Sequence, residues 1–119
     1  MDLLSAISER NREALAAIVA DDVVFHSPVT TYHGRDQVVH LLALIGGVLD
    51  DLTATGEVET VTFVTGQLDG DELNGVLVEI GDDDGRIAEI TLLLRPLATL
   101  QAAVRQMARA LAEGPEPDT

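Results

Sequence analysis

The chain has no cysteine and no lysine, and only three aromatic residues, Phe25, Tyr32 and Phe63, among 119. Without cysteine there can be no disulfide, no thiolate nucleophile and no Cys-ligated metal. With so few rings the core must be aliphatic. The 46% of apolar residues, mostly Leu, Val, Ile and Ala, supply enough material for a real core and too much for a disordered chain. Positive charge is also scarce: seven basic residues, all Arg, face 21 acidic ones, for a net charge of −14. Phosphate backbones and anionic lipid surfaces attract basic patches, so neither nucleic acid nor membrane is expected as a partner. The acidic excess serves solubility. The longest apolar run, Leu41 to Val48, is too short to cross a bilayer. Met1-Asp2-Leu3-Leu4 has no basic segment followed by an apolar one, as a secretion signal would. A cytoplasmic protein is the expectation.

Motifs for the heavier kinds of chemistry are missing as well. Three His are too few and too badly spaced for a zinc site. Asp82-Asp83-Asp84 followed by Glu89 lacks the loop pattern of an EF-hand and reads as a polar turn. There is no phosphate-cradling glycine loop and no cofactor motif, so no metal and no cofactor are expected. His, Glu, Tyr and Ser remain as reactive groups, and these suit general acid–base chemistry.

What is present reads as one α+β domain over residues 1–113. Residues 3–20 have helical periodicity through Leu4, Ile7, Leu15, Ile18 and Val19, interrupted at Ser8-Glu9-Arg10-Asn11-Arg12, where two short helices could meet. Val23-Val24-Phe25-His26 is β-branched and aromatic, hence a strand, and Pro28 ends it. Residues 29–34 form a loop or short bridging strand. A helix then opens at Gly34-Arg35-Asp36, with apolar residues on more than one face. From residue 51 the period is two. Strands are expected over 52–57, 60–68, 73–80 and 86–95, with Asp69-Gly70 as a two-residue hairpin turn and residues 81–85 as a second hairpin loop. After Pro96, Leu97, Leu100, Val104, Met107 and Leu111 recur at spacings of 3, 4, 3 and 4, an amphipathic helix. Residues 114–119 are expected to be a disordered tail. Ile90 to Leu94 is apolar at successive positions, so this strand should be covered on both faces.

Three motifs in this order carry a family resemblance. Ala20-Asp21-Asp22-Val23-Val24-Phe25-His26-Ser27-Pro28, Tyr32-His33-Gly34-Arg35-Asp36-Gln37-Val38 and Asp84-Gly85-Arg86-Ile87-Ala88-Glu89-Ile90 together resemble the nuclear transport factor 2-like, or SnoaL-like, superfamily over residues 1 to about 95. The helix after Pro96 resembles a bacterial subgroup. The resemblance implies a cone-shaped, curved antiparallel sheet wrapped around N-terminal helices, with an added C-terminal helix. It also implies dimers through the convex sheet face. The superfamily includes ketosteroid isomerase, scytalone dehydratase, limonene epoxide hydrolase and polyketide cyclases beside proteins that only bind. Fold therefore does not fix function.

In ketosteroid isomerase a carboxylate base immediately precedes the Pro of the first strand; here that position is Ser27. The Tyr donor of its first helix has no counterpart in Leu3 to Ile7. The expectation is a small-molecule-binding protein with an apolar pocket; the alternative is a cofactor-independent isomerase, dehydratase or cyclase. His26 and Glu89 are the candidate catalytic residues. His26 sits one position before Ser27, so it points into the pocket only if Ser27 does not. Phe25, Ser27, Tyr32, His33, Phe63, Glu79 and Thr91 are candidate ligand-binding positions. A four-residue loop over 82–85 would pair residues 79 and 88 and separate Glu79 from Glu89; a bulged loop would bring them together. The expected partners are an apolar small molecule and a second copy of the chain.

Overall fold

The computed structural model describes residues 1–113; the expected tail, 114–119, lies outside them. The elements run α1 (Leu3–Ser8), α2 (Arg12–Ile18), β1 (Val19–His26), β2 (Thr31–His33), α3 (Arg35–Val48), β3 (Asp50–Val58), β4 (Val61–Leu68), β5 (Asp71–Gly81), β6 (Ile87–Arg95) and α4 (Leu97–Ala112).

The N-terminal helical stretch is two helices. Asp2 caps the first, its carboxylate accepting from Ser5 N at 2.8 Å, and Asn11 caps the second, accepting from Ala14 N at 3.0 Å. Arg10 between them takes a positive φ of 53°, which turns the chain. The second helix ends at Ile18, earlier than the periodicity suggests. Val19 already belongs to the strand, in which Val19, Ala20, Val23 and Phe25 are buried while Asp21 and Asp22 stay exposed, with an irregular step in the pairing to β6 between Val19 and Val24.

The sheet order is β2-β1-β6-β5-β4-β3. Neighbours are antiparallel except at β1 and β6, which run parallel with Phe25 opposite Ile90, so the expected antiparallel sheet has one parallel junction. The β4–β5 turn is the expected two-residue hairpin: Asp69 and Gly70 have φ of 52° and 88°, as a type I′ turn requires. The β5–β6 loop is held by Asp82, whose carboxylate accepts from Asp84 N and Arg86 N at 2.9 and 3.0 Å.

One sheet face, the inner one, packs Phe25, Val64, Leu73, Leu77, Ile90 and Leu92 against Leu3, Ile7, Val38 and Leu42 of the helices, all nearly inaccessible. α4 also lies on this side, next to α3, β5 and β6. The expected apolar stripe of α4 needs correction at both ends. Ala103 is the buried residue of the helix, while Leu97 and Leu111 at its two ends are 66% and 40% exposed. Among the described residues the outer face of β6 therefore has no helix over it. Leu93 is 56% exposed there, beside Val76 and the 44% exposed Phe63 in register on the neighbouring strands.

Candidate functional site

Between the inner sheet face, α3 and α4 lies a cavity of about 220 Å³. It sits where β1 and β6 end. Phe25 and Ser27 reach it from β1 and its exit, Tyr32 from β2, Leu41 and Ile45 from α3, Leu92 and Leu94 from β6, and Ala103, Val104 and Met107 from α4. Among the described residues the lining contains no carboxylate, imidazole or guanidinium. Its polar side chains are Ser27 and Tyr32. The Ser27 hydroxyl is fully committed to its own turn: it donates to Thr30 O at 2.8 Å and accepts from Val29 N and Thr30 N at 3.2 and 3.1 Å. Pro28 and the return into β2 require such a turn, so the Ser27 hydroxyl is a structural group here. The Tyr32 ring stacks on Phe25, with centroids 6.2 Å apart and planes at 25°. Its hydroxyl has no hydrogen-bond partner among the described residues.

The two candidate catalytic residues do meet, on the other side of the sheet. With Phe25 and Ile90 facing inward, alternation sends Val24, His26, Glu89 and Thr91 outward. His26 Nε2 lies 2.6 Å from a Glu89 carboxylate oxygen, and His26 Nδ1 lies 3.0 Å from Thr31 Oγ1. The carboxylate can only accept, so Nε2 carries hydrogen; in the neutral ring Nδ1 then accepts from the Thr31 hydroxyl. The side chains are 38% and 43% exposed. The arrangement can hold and pass a proton, but it faces away from the apolar cavity. Ser27, one residue on, is the position that lines the cavity.

The remaining candidate positions are scattered. Thr91 and Phe63 are on the outer face, and His33 is exposed beside Gln37. His40 is tied to the helices: the Arg12 guanidinium donates to its Nδ1 at 3.2 Å, which places the ring hydrogen on Nε2. Glu79 is on the inner face but at the far end of the sheet, in a polar cleft of about 370 Å³ with Glu57, Thr62 and Arg86. The β5–β6 ladder is bulged, pairing Glu79 with Ile90 and Ile80 with Glu89. This corrects the expectation for a bulged loop. The irregularity slides the register without changing its parity, so Glu79 and Glu89 remain on opposite faces.

Burial raises the Glu79 carboxyl above the usual glutamate range, and the charges of Asp2 and Glu57 push the same way. A carboxyl raised on folding binds more protons folded than unfolded, so its contribution to stability falls as pH rises through the interval between the two values. Glu79→Gln should therefore raise the melting temperature at neutral pH, and the gain should shrink as the buffer is brought toward pH 4. Parallel melts across that range check it; an equal gain at both ends would mean that charge is not the cause.

The residues the sequence did not single out are those of α3 and α4 that form the cavity wall, above all Leu41, Ala103 and Met107. They carry no chemistry. Their one signal is the helical stripe, which reads equally well as plain core.

The SnoaL-like domain family matches residues 2–90. No curated protein sequence matches the chain. Among solved structures, a steroid delta-isomerase from Pseudomonas aeruginosa is similar, with 28% identity and a TM-score of 0.84, covering 92% of this chain and 85% of that one. A bacterial protein with a cystatin-like fold from Silicibacter pomeroyi has 21% identity and a TM-score of 0.84, covering 94% and 84%. A nuclear transport factor 2-like protein from Cytophaga hutchinsonii has 12% identity and a TM-score of 0.61, covering 82% and 88%. With the curved sheet, the helices on its inner face and a match over most of its length, the chain belongs to the SnoaL-like domain family.

Proposed function

We propose that the protein binds an apolar small molecule in the cavity between sheet, α3 and α4. The observation that carries this reading is the lining itself, which among the described residues is apolar except for the hydroxyls of Ser27 and Tyr32 and holds no carboxylate or imidazole. Small-molecule sites are typically concave, mostly apolar and furnished with a few orienting polar groups. Filling the space tests it. Ala103→Leu places three further carbons against the cavity from the buried face of α4. It should abolish binding of apolar ligands recovered with the protein by solvent extraction and mass spectrometry, while the fold is kept. Undiminished ligand content in the variant would sink the proposal.

The second reading is a cofactor-independent isomerase, dehydratase or cyclase. It is favoured by the His26–Glu89 pair and by the similarity to a steroid delta-isomerase. On this reading the proton moves at the outer face, so His26→Ala should abolish turnover while leaving occupancy of the inner cavity unchanged.

The outer face is also where we place a second copy of the chain. Phe63, Val76 and Leu93 form a row across β4, β5 and β6, with Ile80 50% exposed on the same face. A contiguous apolar patch of this kind marks an association surface. Leu93→Arg should turn a dimer into a monomer in sedimentation velocity at micromolar concentration; a native chain that is already monomeric there rules the dimer out.

A further inference from the structure

Resting on the proposed binding cavity, we infer that its ligand is a compact, uncharged molecule of about ten non-hydrogen atoms that carries one hydrogen-bond acceptor, met by the Tyr32 hydroxyl. Size comes first. An apolar cavity of about 150 Å³ takes up benzene. The cavity here, about 220 Å³, is half as large again. On that scale its interior holds roughly eight to ten carbons, one bicycle or one branched ring; the space opens to solvent, so a fused steroid tetracycle would leave its further rings outside the apolar lining. Charge comes next. No Arg or His among the described residues lines the space, and the protein carries −14 overall, so a carboxylate or phosphate would be buried without a partner. An ammonium would be equally unpaired, because no carboxylate among the described residues lines the cavity.

Polarity is decided by the two hydroxyls. Ser27 has spent its donor on Thr30 O. Tyr32 has a hydroxyl with no partner among the described residues, on a ring fixed by its stack against Phe25. A phenol in such a place donates readily, so the ligand presents a ketone, ether or ester oxygen near β2 and keeps its hydrocarbon body against Leu92, Leu94 and Met107.

The test uses the whole chain and three probes: the bicyclic ketone decalone, its hydrocarbon parent decalin, and progesterone. Binding is followed by methyl chemical shifts of Leu92, Leu94 and Met107. Decalone and decalin should both saturate these signals, and progesterone should bind at least tenfold more weakly than decalone. Tyr32→Phe keeps the ring and its stack. It should weaken decalone about three- to tenfold, the worth of one neutral hydrogen bond, and leave decalin unchanged. Progesterone binding as tightly as decalone would overturn the size limit while leaving the apolar cavity standing. An equal effect of Tyr32→Phe on both bicycles would overturn the role of Tyr32. No shift with any of the three would overturn the cavity as a binding site and this inference with it.

Discussion

Gly46→Val should leave the protein largely unfolded, whereas Gly47→Ala, one residue on, should stabilise it. Both glycines lie in the last turn of α3. A β-carbon on Gly46 would stand 1.8 Å from the carbonyl oxygen and 2.8 Å from the carbonyl carbon of Ile7. These are backbone atoms of α1, so no rotamer change relieves the clash, and the helix itself must move. α1 carries Leu3, Ala6 and Ile7, each at most 1% exposed, and displacing it opens the core. Overpacking costs about 1–3 kcal/mol where side chains can adjust, and more where they cannot. Gly46→Ala should already lose at least the upper end of that range, and valine more. At Gly47 the nearest atom to an added β-carbon is Arg10 Cδ at 3.4 Å, an ordinary contact. There the usual gain of Ala over Gly in a helix, about 0.5–1 kcal/mol, should appear, at its low end so near the terminus. Urea denaturation of the two alanine variants gives the sign directly. If Gly46→Ala comes within about 1 kcal/mol of the parent, α1 and α3 do not touch as described.

Phe25→Ala should cost about 3–5 kcal/mol, the range for deleting a buried aromatic. Phe25 is 0% exposed on the inner face of β1, opposite Ile90 on β6 and Tyr32 on β2. Its removal forfeits the contacts of its own ring and the stack on Tyr32, and leaves a void continuous with the cavity. The denaturant midpoint should therefore fall with little change in slope. The enlarged space should also take in more of a larger ligand, so progesterone binding should improve relative to decalone. A loss below about 1 kcal/mol would show that α3 and α4 collapse into the gap.

The local chemistry of the chain was readable before its geometry. The break at Arg10, the Asp69-Gly70 turn and the change from helical to strand period at residue 51 each depend on neighbours within a few positions, and each is found in place. The face of His26 followed from alternation once Ser27 was placed. Less accessible was anything set by packing at a distance. The meeting of His26 and Glu89 depends on a parallel junction between the first and last long strands, which no local pattern encodes. Parity between Glu79 and Glu89 depends on one irregular step in a ladder. The cavity depends on how far α4 stands off the sheet, and its apolar wall residues look the same in sequence whether they enclose a space or fill it.

The parallel junction also bears on the order in which the molecule can assemble during synthesis. β3 to β6 form a meander in which each strand pairs with the one just made, and such hairpins close quickly. β1 has only the three-residue β2 at one edge until β6 arrives at the other. While the ribosome is still adding the meander, β1 and the apolar flank of α3, with Val38, Leu41, Leu42 and Ile45, have no sheet to cover them. The N-terminal third is thus made first and housed last. The nascent chain should be most prone to aggregation, and most dependent on chaperones, in the interval before β6 clears the exit tunnel.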